Sequence, residues 1–408
     1  MKALILAAGE GLRMGPLTEN QPKPMLPVGG RPFLEHTLDA LRDSGVKDIL
    51  ILTGYRGSLI KEHFGNGEAF GVNISYLVQP ERLGTAHAVG MARGSTDGPF
   101  LCLNGDVIVT REHVEGILSE YGSTGRAIMS LVEVGDAGRF GLVGVDDGKV
   151  VDITEKSGKE ETGLINGGIY LFDTTIFDAI ERTPLSSRKE YEITQSIKIL
   201  MEEEDVGYVV PGGKWVDIGS PWDLLGAHEI HMEGLEGDIE GDLEENVHIR
   251  GNLVLKKGAV IRSGTYIEGN VIADAGAVIG PNSYIRGSTY IGKGSRVGAA
   301  SEVKNSIIFD RTNIPHHNYV GDSIIGCDCN LGSGTKVANL RIDDGPVKVV
   351  IRGTRYNTGR RKLGVIMGDD VKTGINATID PGTIIFGGSR IGPGARVSGT
   401  ITSGSRVH

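Results

Sequence analysis

The sequence lacks the features that mark several classes of protein. Its three cysteines, Cys102, Cys327 and Cys329, are too few for a disulfide framework, and Cys-x-Cys has no further ligands at zinc-site spacing. No apolar run approaches membrane-spanning length, and no signal-peptide pattern opens the chain. A formal net charge of −10 argues against the basic surface that nonspecific nucleic-acid binding needs. We therefore expect a cytoplasmic protein with neither a membrane nor a nucleic-acid partner.

The opening stretch also lacks the endings of two common phosphate-binding loops. An apolar run from Ala3 to Ala8 predicts a buried strand, and Gly9 and Gly11 follow it. Met14 stands where the dinucleotide fingerprint has its third glycine, and no Gly-Lys-Ser/Thr string is present. With the cations Arg13 and Lys23 nearby, the loop suits a nucleoside triphosphate. Taken alone, it is also compatible with an ordinary tight turn.

The first half of the chain alternates apolar strand patterns with helical patterns. This alternation predicts an α/β domain with a mostly parallel sheet, whose ligand lies beyond the carboxyl ends of the strands. Asp106 ends the apolar run that begins at Phe100, and Asp217 lies in a similar turn within Trp215–Pro221. A carboxylate at such a place can cap a turn or bind Mg²⁺, which prefers oxygen ligands.

The strings Leu6-Ala-Ala-Gly-Glu-Gly-Leu-Arg13-Met14 and Pro22-Lys-Pro-Met-Leu-Pro27 resemble the nucleotidyltransferases that join a sugar 1-phosphate to a nucleoside triphosphate. The resemblance implies a Rossmann-like fold and release of pyrophosphate. It also implies that Asp106 and Asp217 bind Mg²⁺ and that Arg13 and Lys23 are catalytic cations on the triphosphate. The implied nucleotide-binding residues are Leu6, Ala8, Gly9, Gly11, Gln79, Gly84 and Thr85.

The base and sugar are indicated by further strings. Leu83-Gly-Thr-Ala86 resembles the uridylyl branch of the family more than the thymidylyl branch, although UTP and dTTP both stay open. Phe140-Gly141, Thr154-Glu-Lys156 and Leu164–Tyr170 resemble sugar-site motifs. The residues implied to contact the sugar 1-phosphate are Gly141, Glu155, Lys156 and Asn166. Each string, read alone, is equally a turn or a surface charge.

Glycine, with 63 of 408 residues, is abundant because the second half is repetitive. Apolar residues recur at every sixth position from Ile249 to Phe309, and the period returns at Ile325 and again at Met367. A six-residue period predicts a parallel β-helix. Its left hand and its assembly as a homo-trimer are implied by resemblance to hexapeptide-repeat acyltransferases. The predicted domains are residues 1–226, a linker at 227–245, and the β-helix at 246–408.

The break in the period contains a histidine loop, Ile314–Asp322. It resembles the acetyltransferase loop of bifunctional enzymes that make UDP-N-acetylglucosamine, and the string after Asn339 resembles the archaeal form. Histidine suits a general base because its pKa lies near neutral pH. His316 is the implied base, with His317 as the alternative. The residues implied to bind the amino-sugar phosphate or acetyl-CoA are Arg286, Lys304, Tyr319, Asn330, Ser333 and Asn339.

Two motif sets on one chain therefore predict a bifunctional enzyme of the archaeal type. Acetyl-CoA would acetylate glucosamine 1-phosphate, and Mg²⁺-dependent transfer from UTP would then give UDP-N-acetylglucosamine. Galactosamine 1-phosphate is an alternative substrate. One rival prediction is a glucose-1-phosphate thymidylyltransferase that uses dTTP and has a purely structural β-helix. Another is a non-catalytic regulatory subunit, which would not need Arg13, Lys23, Asp106 and Asp217.

Overall fold

The computed structural model describes residues 1–135, 137, 140–154 and 162–408. These residues form two compact units. The first contains Met1–Glu10, Pro22–Met25 and Phe33–Asp217, and the second contains Gly11–Gln21, Leu26–Pro32 and Ile218–His408. Each unit contains several segments that are separated in the sequence. The domain boundaries expected from the sequence stay predictions.

The first unit is built around a mixed sheet whose central strands are buried on both faces. Alternate residues of Lys2–Ala7, such as Leu4 and Ile5, pack into different apolar clusters on its two sides. The first four strands in spatial order are parallel, and Gly163–Phe172 runs antiparallel to both of its neighbours. Among the described residues the order is Asn73–Val78, Asp48–Thr53, Lys2–Ala7, Phe100–Asn104, Gly163–Phe172, Ile128–Val134, Gly207–Val209, Lys149–Thr154 and Leu142–Asp146.

Helices connect these strands, and one of them begins with a capping box. Thr110 and His113 form a capping box at the start of Arg111–Thr124, and Gly125 ends that helix with a left-handed backbone. The α-helices of the first unit are Phe33–Asp43, Gly57–Phe64, Thr85–Gly90, Arg111–Thr124, Ile176–Glu181 and Ile193–Met201. Helix Pro221–Met232, which has proline in its first turn, belongs to the second unit.

Short strand pairs and 3₁₀ helices lie outside the large sheets of both units. Val107–Ile108 pairs antiparallel with Val216–Asp217 in the first unit. Pro27–Val28 pairs with Arg31–Pro32 in the second, through a tight turn at Gly29 and Gly30. The 3₁₀ helices are Leu12–Thr18, Lys23–Met25 and Glu68–Phe70.

The rest of the second unit is a stack of parallel coils, consistent with the left-handed β-helix that was predicted. Equivalent positions of successive coils pair in parallel, as His248, Tyr266 and Tyr284 do. Its strands are Asp238–Ile239, Asp242–Leu243, His248–Leu255, Val260–Ile261, Tyr266–Ala273, Val278–Ile279, Tyr284–Arg286, Thr289–Ile291, Arg296–Val297, Glu302–Lys304, Ile307–Ile308, Asn313–Ile314, Tyr319–Gly321, Ile324–Ile325, Asn330–Leu331, Lys336–Val337, Val365–Met367, Lys372–Thr373, Thr378–Ile379, Thr383–Ile385, Arg390–Ile391, Arg396–Val397, Thr400–Ile401 and Arg406–Val407. A hairpin of Lys348–Ile351 and Thr354–Asn357 interrupts the stack.

The interior of the coils is a continuous column of Ile, Val, Leu and small residues. The sequence period assigned Phe309 to this column, but Ile308 occupies that place and stacks on Ile291 and Ile325. The expected break is therefore not a break in the stack. Two of the coil faces between Val303 and Ile325 are one residue shorter than the six-residue repeat, so the histidine loop lies within regular coils.

Cys102, Cys327 and Cys329 are free, and burial raises the pKa of each thiol, to about 12 for Cys327 and Cys329. In the described part of the chain, no helix combines the length and the apolarity needed to cross a membrane.

Candidate active sites

Two glycines, Gly54 and Gly105, allow the backbones that follow three parallel strands to approach closely at the carboxyl edge of the first unit's sheet. A Cβ at Gly105 would lie 2.4 Å from the Leu6 carbonyl oxygen, and one at Gly54 would lie 2.6 Å from that of Ala8. The Gly105 N–H donates to Leu6, and the Tyr55 N–H donates to Ala8. Gly9 has open space where its side chain would be. The roles of Gly54 and Gly105 were missed, although glycine directly after a buried strand was a visible signal.

A charged group lies at this edge. Lys23 Nζ is 2.9 Å from Asp106 Oδ2, and the Lys23 side chain is only 10% exposed. Asp217 pairs with Val107, the residue after Asp106, so the backbone register makes the two aspartates neighbours. Both predicted metal ligands and one of the two predicted cations therefore lie together.

These aspartates fit a magnesium ion by their donor chemistry. Among the described residues, no group of three or more His, Cys, Asp or Glu could hold a metal. Two carboxylates suffice for Mg²⁺ in a phosphate-binding site, because this ion keeps part of its shell for water and phosphate oxygens. Lys23 supplies a positive charge beside Asp106 that would favour a bound polyanion.

Two of the three predicted sugar motifs contact Trp215, which was not predicted from the sequence as a site residue. Its indole Nε1 donates to the Gly167 carbonyl at 2.8 Å, and its ring packs edge-on against Phe140, next to Gly141. Asn166 Nδ2 donates to the Tyr170 hydroxyl at 2.6 Å, and burial raises the pKa of Tyr170. Glu155 and Lys156 lie outside the described residues.

The string predicted to contact the base, Leu83–Ala86, packs against Tyr191 and Ile193, which are distant in sequence. Gly84 has φ +112°, and a Cβ there would lie 2.4 Å from the Tyr191 carbonyl oxygen. Thr85 Oγ1 accepts the Ile193 N–H at 2.9 Å. The buried Gln79 amide is 2.9 Å from His87 Nδ1, so its orientation is constrained. Glycine is therefore needed at position 84 because the backbone of Tyr191 packs directly against it.

Part of the opening motif belongs to the second unit. Arg13 is exposed and lies in Gly11–Gln21, with Gly11 in a left-handed conformation. Glu19 Oε2 accepts the Gly387 N–H at 2.9 Å, and Asn20 Nδ2 donates to Asp369 at 2.9 Å. This segment is thus anchored on the coils of the β-helix.

A second polar group lies on adjacent coils of the second unit, where Arg286 and Lys304 pair in register. Lys304 Nζ is 2.9 Å from Asp322 Oδ2, and Asn339 Nδ2 lies 3.2 Å from the Tyr319 hydroxyl. Burial raises the pKa of Tyr319. Four predicted acetyltransferase residues and the unpredicted Asp322 therefore form one cluster.

The histidines lie at a corner of the coils. His316 and His317 are exposed, and the His316 carbonyl accepts the Gly334 N–H, next to Ser333, at 3.0 Å. His317 has φ +53° and continues a column of left-handed corner residues that includes Ala300 and Asn376. The choice between His316 and His317 as the base stays a prediction.

Asn330 lies apart from this cluster in the fold. It is in the other parallel sheet, where Asn313 and Lys372 are its neighbours in register. The sequence alone could not assign it to a face, because the shortened coils alter the count.

A Rossmann-like sheet with a lysine–aspartate ion pair beyond the end of one strand, together with a β-helix, defines a nucleotidyltransferase joined to a hexapeptide-repeat domain. The nucleotidyl transferase family model matches residues 2–233, and the GMPPB C-terminal domain model matches residues 267–373. A provisionally assigned glucose-1-phosphate thymidylyltransferase from Bacillus anthracis matches with a TM-score of 0.54 and 29% identity, over 58% of this chain and 98% of that one.

Curated relatives match along the whole chain. A Methanocaldococcus jannaschii protein named bifunctional GlmU is 42% identical over 409 residues, or 100% of this chain and 97% of the relative. A Sulfurisphaera tokodaii protein, named bifunctional sugar-1-phosphate nucleotidylyltransferase/acetyltransferase, is 37% identical over 98% of this chain and 97% of its own length. The chain belongs to this family of bifunctional nucleotidylyltransferase/acetyltransferases, as the sequence motifs predicted.

Proposed function

We propose that the protein acetylates glucosamine 1-phosphate and then joins the N-acetyl product to UTP, giving UDP-N-acetylglucosamine and pyrophosphate. The observation that carries the proposal is the presence of two separate polar clusters. Lys23, Asp106 and Asp217 lie in the first unit, and Arg286, Lys304, Tyr319 and Asn339 lie in the second. A purely structural β-helix has no need of the second cluster.

In the first step, the substrate amine attacks the thioester carbonyl of acetyl-CoA. An N–C bond forms, the C–S bond breaks, and the thiolate of coenzyme A leaves. His316 accepts the proton that the amine loses and can return it to the leaving sulfur. Arg286 and Lys304 bind the sugar phosphate through charge-assisted hydrogen bonds, with Tyr319 and Asn339 of the same cluster in supporting contacts. Ser333, beside the His316 corner, and Asn330, on the other parallel sheet, stay predicted contacts of the amino sugar or acetyl-CoA.

In the second step, an oxygen of the sugar phosphate attacks the α-phosphorus of UTP and pyrophosphate leaves. Asp106 and Asp217 would hold Mg²⁺, which neutralises charge on the phosphates. Lys23 and Arg13 bind the triphosphate, and Gly9 and Gly11 allow it close to the backbone. Gln79, Gly84 and Thr85 read the base, while Gly141, Glu155, Lys156 and Asn166 bind the sugar.

The proposal also includes a homo-trimer formed through the β-helix, with residues 1–226, 227–245 and 246–408 as nucleotidylyltransferase domain, linker and acyltransferase domain. Size determination in solution by light scattering measures the assembly. A monomer would contradict that part of the proposal without affecting the chemistry.

The decisive experiment supplies glucosamine 1-phosphate, acetyl-CoA, UTP and Mg²⁺ together and in pairs, and identifies the products by mass. We expect an N-acetylated sugar phosphate without UTP, and UDP-N-acetylglucosamine with all four. Parallel reactions contain galactosamine 1-phosphate, or dTTP with glucose 1-phosphate. Activity with dTTP and glucose 1-phosphate alone, without consumption of acetyl-CoA, would support the thymidylyltransferase alternative instead.

His316→Ala tests the base, with His317→Ala as its matched control. We expect loss of acetyl transfer and retention of uridylyl transfer in the first variant, and retention of both activities in the second. Full acetyl transfer in His316→Ala would refute its assignment.

A further inference from the structure

Asp322 is an unusually well-partnered carboxylate in the second unit. It follows strand Tyr319–Gly321, and its side chain is only 5% exposed. Its carboxylate accepts hydrogen bonds from Lys304 Nζ and Asn305 Nδ2, both at 2.9 Å, and from Asn339 Nδ2. A buried carboxylate needs such donors, because burial without them is costly. Two of its three partners, Lys304 and Asn339, belong to the proposed acetyl-transfer site.

The backbone position of Asp322 places its side chain next to that of Asn305. Asp322 is a corner residue of the coils with φ +48°, and the equivalent corners of preceding coils are Gly269, Gly287 and Asn305. Glycine adopts this conformation without steric cost, whereas a residue with a Cβ is strained there. Asn305 and Asp322 nevertheless carry side chains at adjacent corners and bond to each other.

Gly321 and Asn305 determine how the side chains around Asp322 are placed. A Cβ at Gly321 would lie 2.5 Å from Asn339 Nδ2 and 2.7 Å from the Tyr319 hydroxyl, so glycine leaves room for both groups. Asn305 Nδ2 donates to Glu229 at 2.7 Å as well as to Asp322, which engages both of its hydrogens. The orientation of Asn305 is therefore set from two sides.

We propose that Asp322 is a positioning residue for the acetyl-transfer site: it holds the Lys304 ammonium and the Asn339 amide where they bind the amino-sugar phosphate. The inference rests on the proposed acetyl transfer. Lysine has three N–H donors, so the bond to Asp322 fixes its position and leaves two donors for phosphate oxygens. Because Asn339 Nδ2 is engaged by Asp322 and Tyr319, its amide oxygen has a defined direction.

Asp322→Asn is the test variant, since asparagine also tolerates a left-handed backbone. The change replaces one acceptor oxygen by an NH₂ group that faces other donors. Asp328→Asn is the matched control. Asp328 is also a left-handed corner residue, with φ +58°, and pairs with Arg311 at 2.8 Å, but it is exposed. Both variants and the unmodified protein are assayed for acetyl transfer, uridylyl transfer and thermal unfolding.

We expect Asp322→Asn to raise the KM for glucosamine 1-phosphate about 10- to 100-fold, the effect of losing a charge-assisted hydrogen bond. The KM for acetyl-CoA and the rate of uridylyl transfer should stay within twofold, and Asp328→Asn should match the unmodified protein. If the unmodified protein fails to acetylate, the proposed function and this role both fail.

Two other outcomes overturn the positioning role alone. In one, the unmodified protein acetylates and Asp322→Asn keeps the same KM for the sugar phosphate as Asp328→Asn. In the other, Asp322→Asn loses acetyl and uridylyl transfer alike together with a lowered unfolding midpoint, which would identify a purely structural residue.

Discussion

Gly84→Ala tests whether the base-reading string depends on a backbone approach by Tyr191. Alanine would have to adopt φ +112°, and its Cβ would lie 2.4 Å from the Tyr191 oxygen and 2.7 Å from the Tyr191 nitrogen. Both atoms are backbone, so no side-chain rotation relieves the overlap. The segment that contains Tyr191 has to move away.

The cost follows from the contacts that this movement breaks. The conformational strain of alanine at this φ is about 1–3 kcal/mol. The Tyr191 N–H donates to Leu83 at 2.7 Å, and the Ala86 N–H donates to Tyr191 at 2.8 Å. Each such bond contributes about 1 kcal/mol. We therefore expect a destabilisation of about 3–5 kcal/mol.

The assay compares Gly84→Ala with Gly94→Ala. Gly94 also has a positive φ, +79°, but its added Cβ would meet nothing within 4 Å. The control should lose about 1 kcal/mol. Gly84→Ala should lower the thermal unfolding midpoint of the first unit by about 5–15 °C. It should also reduce the rate of uridylyl transfer about 100-fold, while acetyl transfer persists. Equal midpoints and equal uridylyl transfer in the two variants would refute the reasoning.

Three further predictions concern other parts of the molecule. Gly321→Ala should reduce acetyl transfer at least about tenfold in initial-rate assays without changing uridylyl transfer, because its Cβ would displace Asn339 and Tyr319; equal rates in both assays would contradict this. Chelation by EDTA should stop uridylyl transfer but leave acetyl transfer intact, with Mg²⁺ restoring the former; inhibition of both would argue against a separate metal site. Burial, together with the nearby His231, lowers the pKa of His228 to about 3, whereas its value in the unfolded chain is about 6.5. Protonation therefore favours the unfolded chain. The free energy of unfolding should fall as the pH drops from 6.5 toward 3, by up to about 1.4 kcal/mol per pH unit. Denaturant titrations should show a flatter pH slope in His228→Gln, but not in the exposed control His248→Gln.

Local patterns predicted much of the fold. The apolar run Ala3–Ala8 and the run that begins at Phe100 correspond to the buried parallel strands Lys2–Ala7 and Phe100–Asn104, because continuous apolar sequence is what such strands require. The six-residue period likewise predicted the apolar column of the coils. Phe309 was misplaced because a coil face shortened by one residue looks, in sequence, like an interruption of the repeat.

The candidate sites were predictable only where residue type and strand end coincide. Lys23 and Asp106, which were predicted for separate roles, form an ion pair. The Tyr191 backbone beside Gly84 is distant in sequence, and no local pattern encodes that contact. Asp322 ends the histidine loop in sequence, and its three hydrogen-bond donors come from the two neighbouring coils, which no local pattern indicates.

The division of the chain into two units has a consequence for dissecting the two activities. The backbone passes from one unit to the other at Glu10–Gly11, Gln21–Pro22, Met25–Leu26, Pro32–Phe33 and Asp217–Ile218. No single cut therefore yields two intact halves. A fragment ending at residue 217 would carry Met14 and Leu17, which are buried within the second unit, without the surroundings that bury them. Separation of the two reactions is better achieved by point substitution than by truncation.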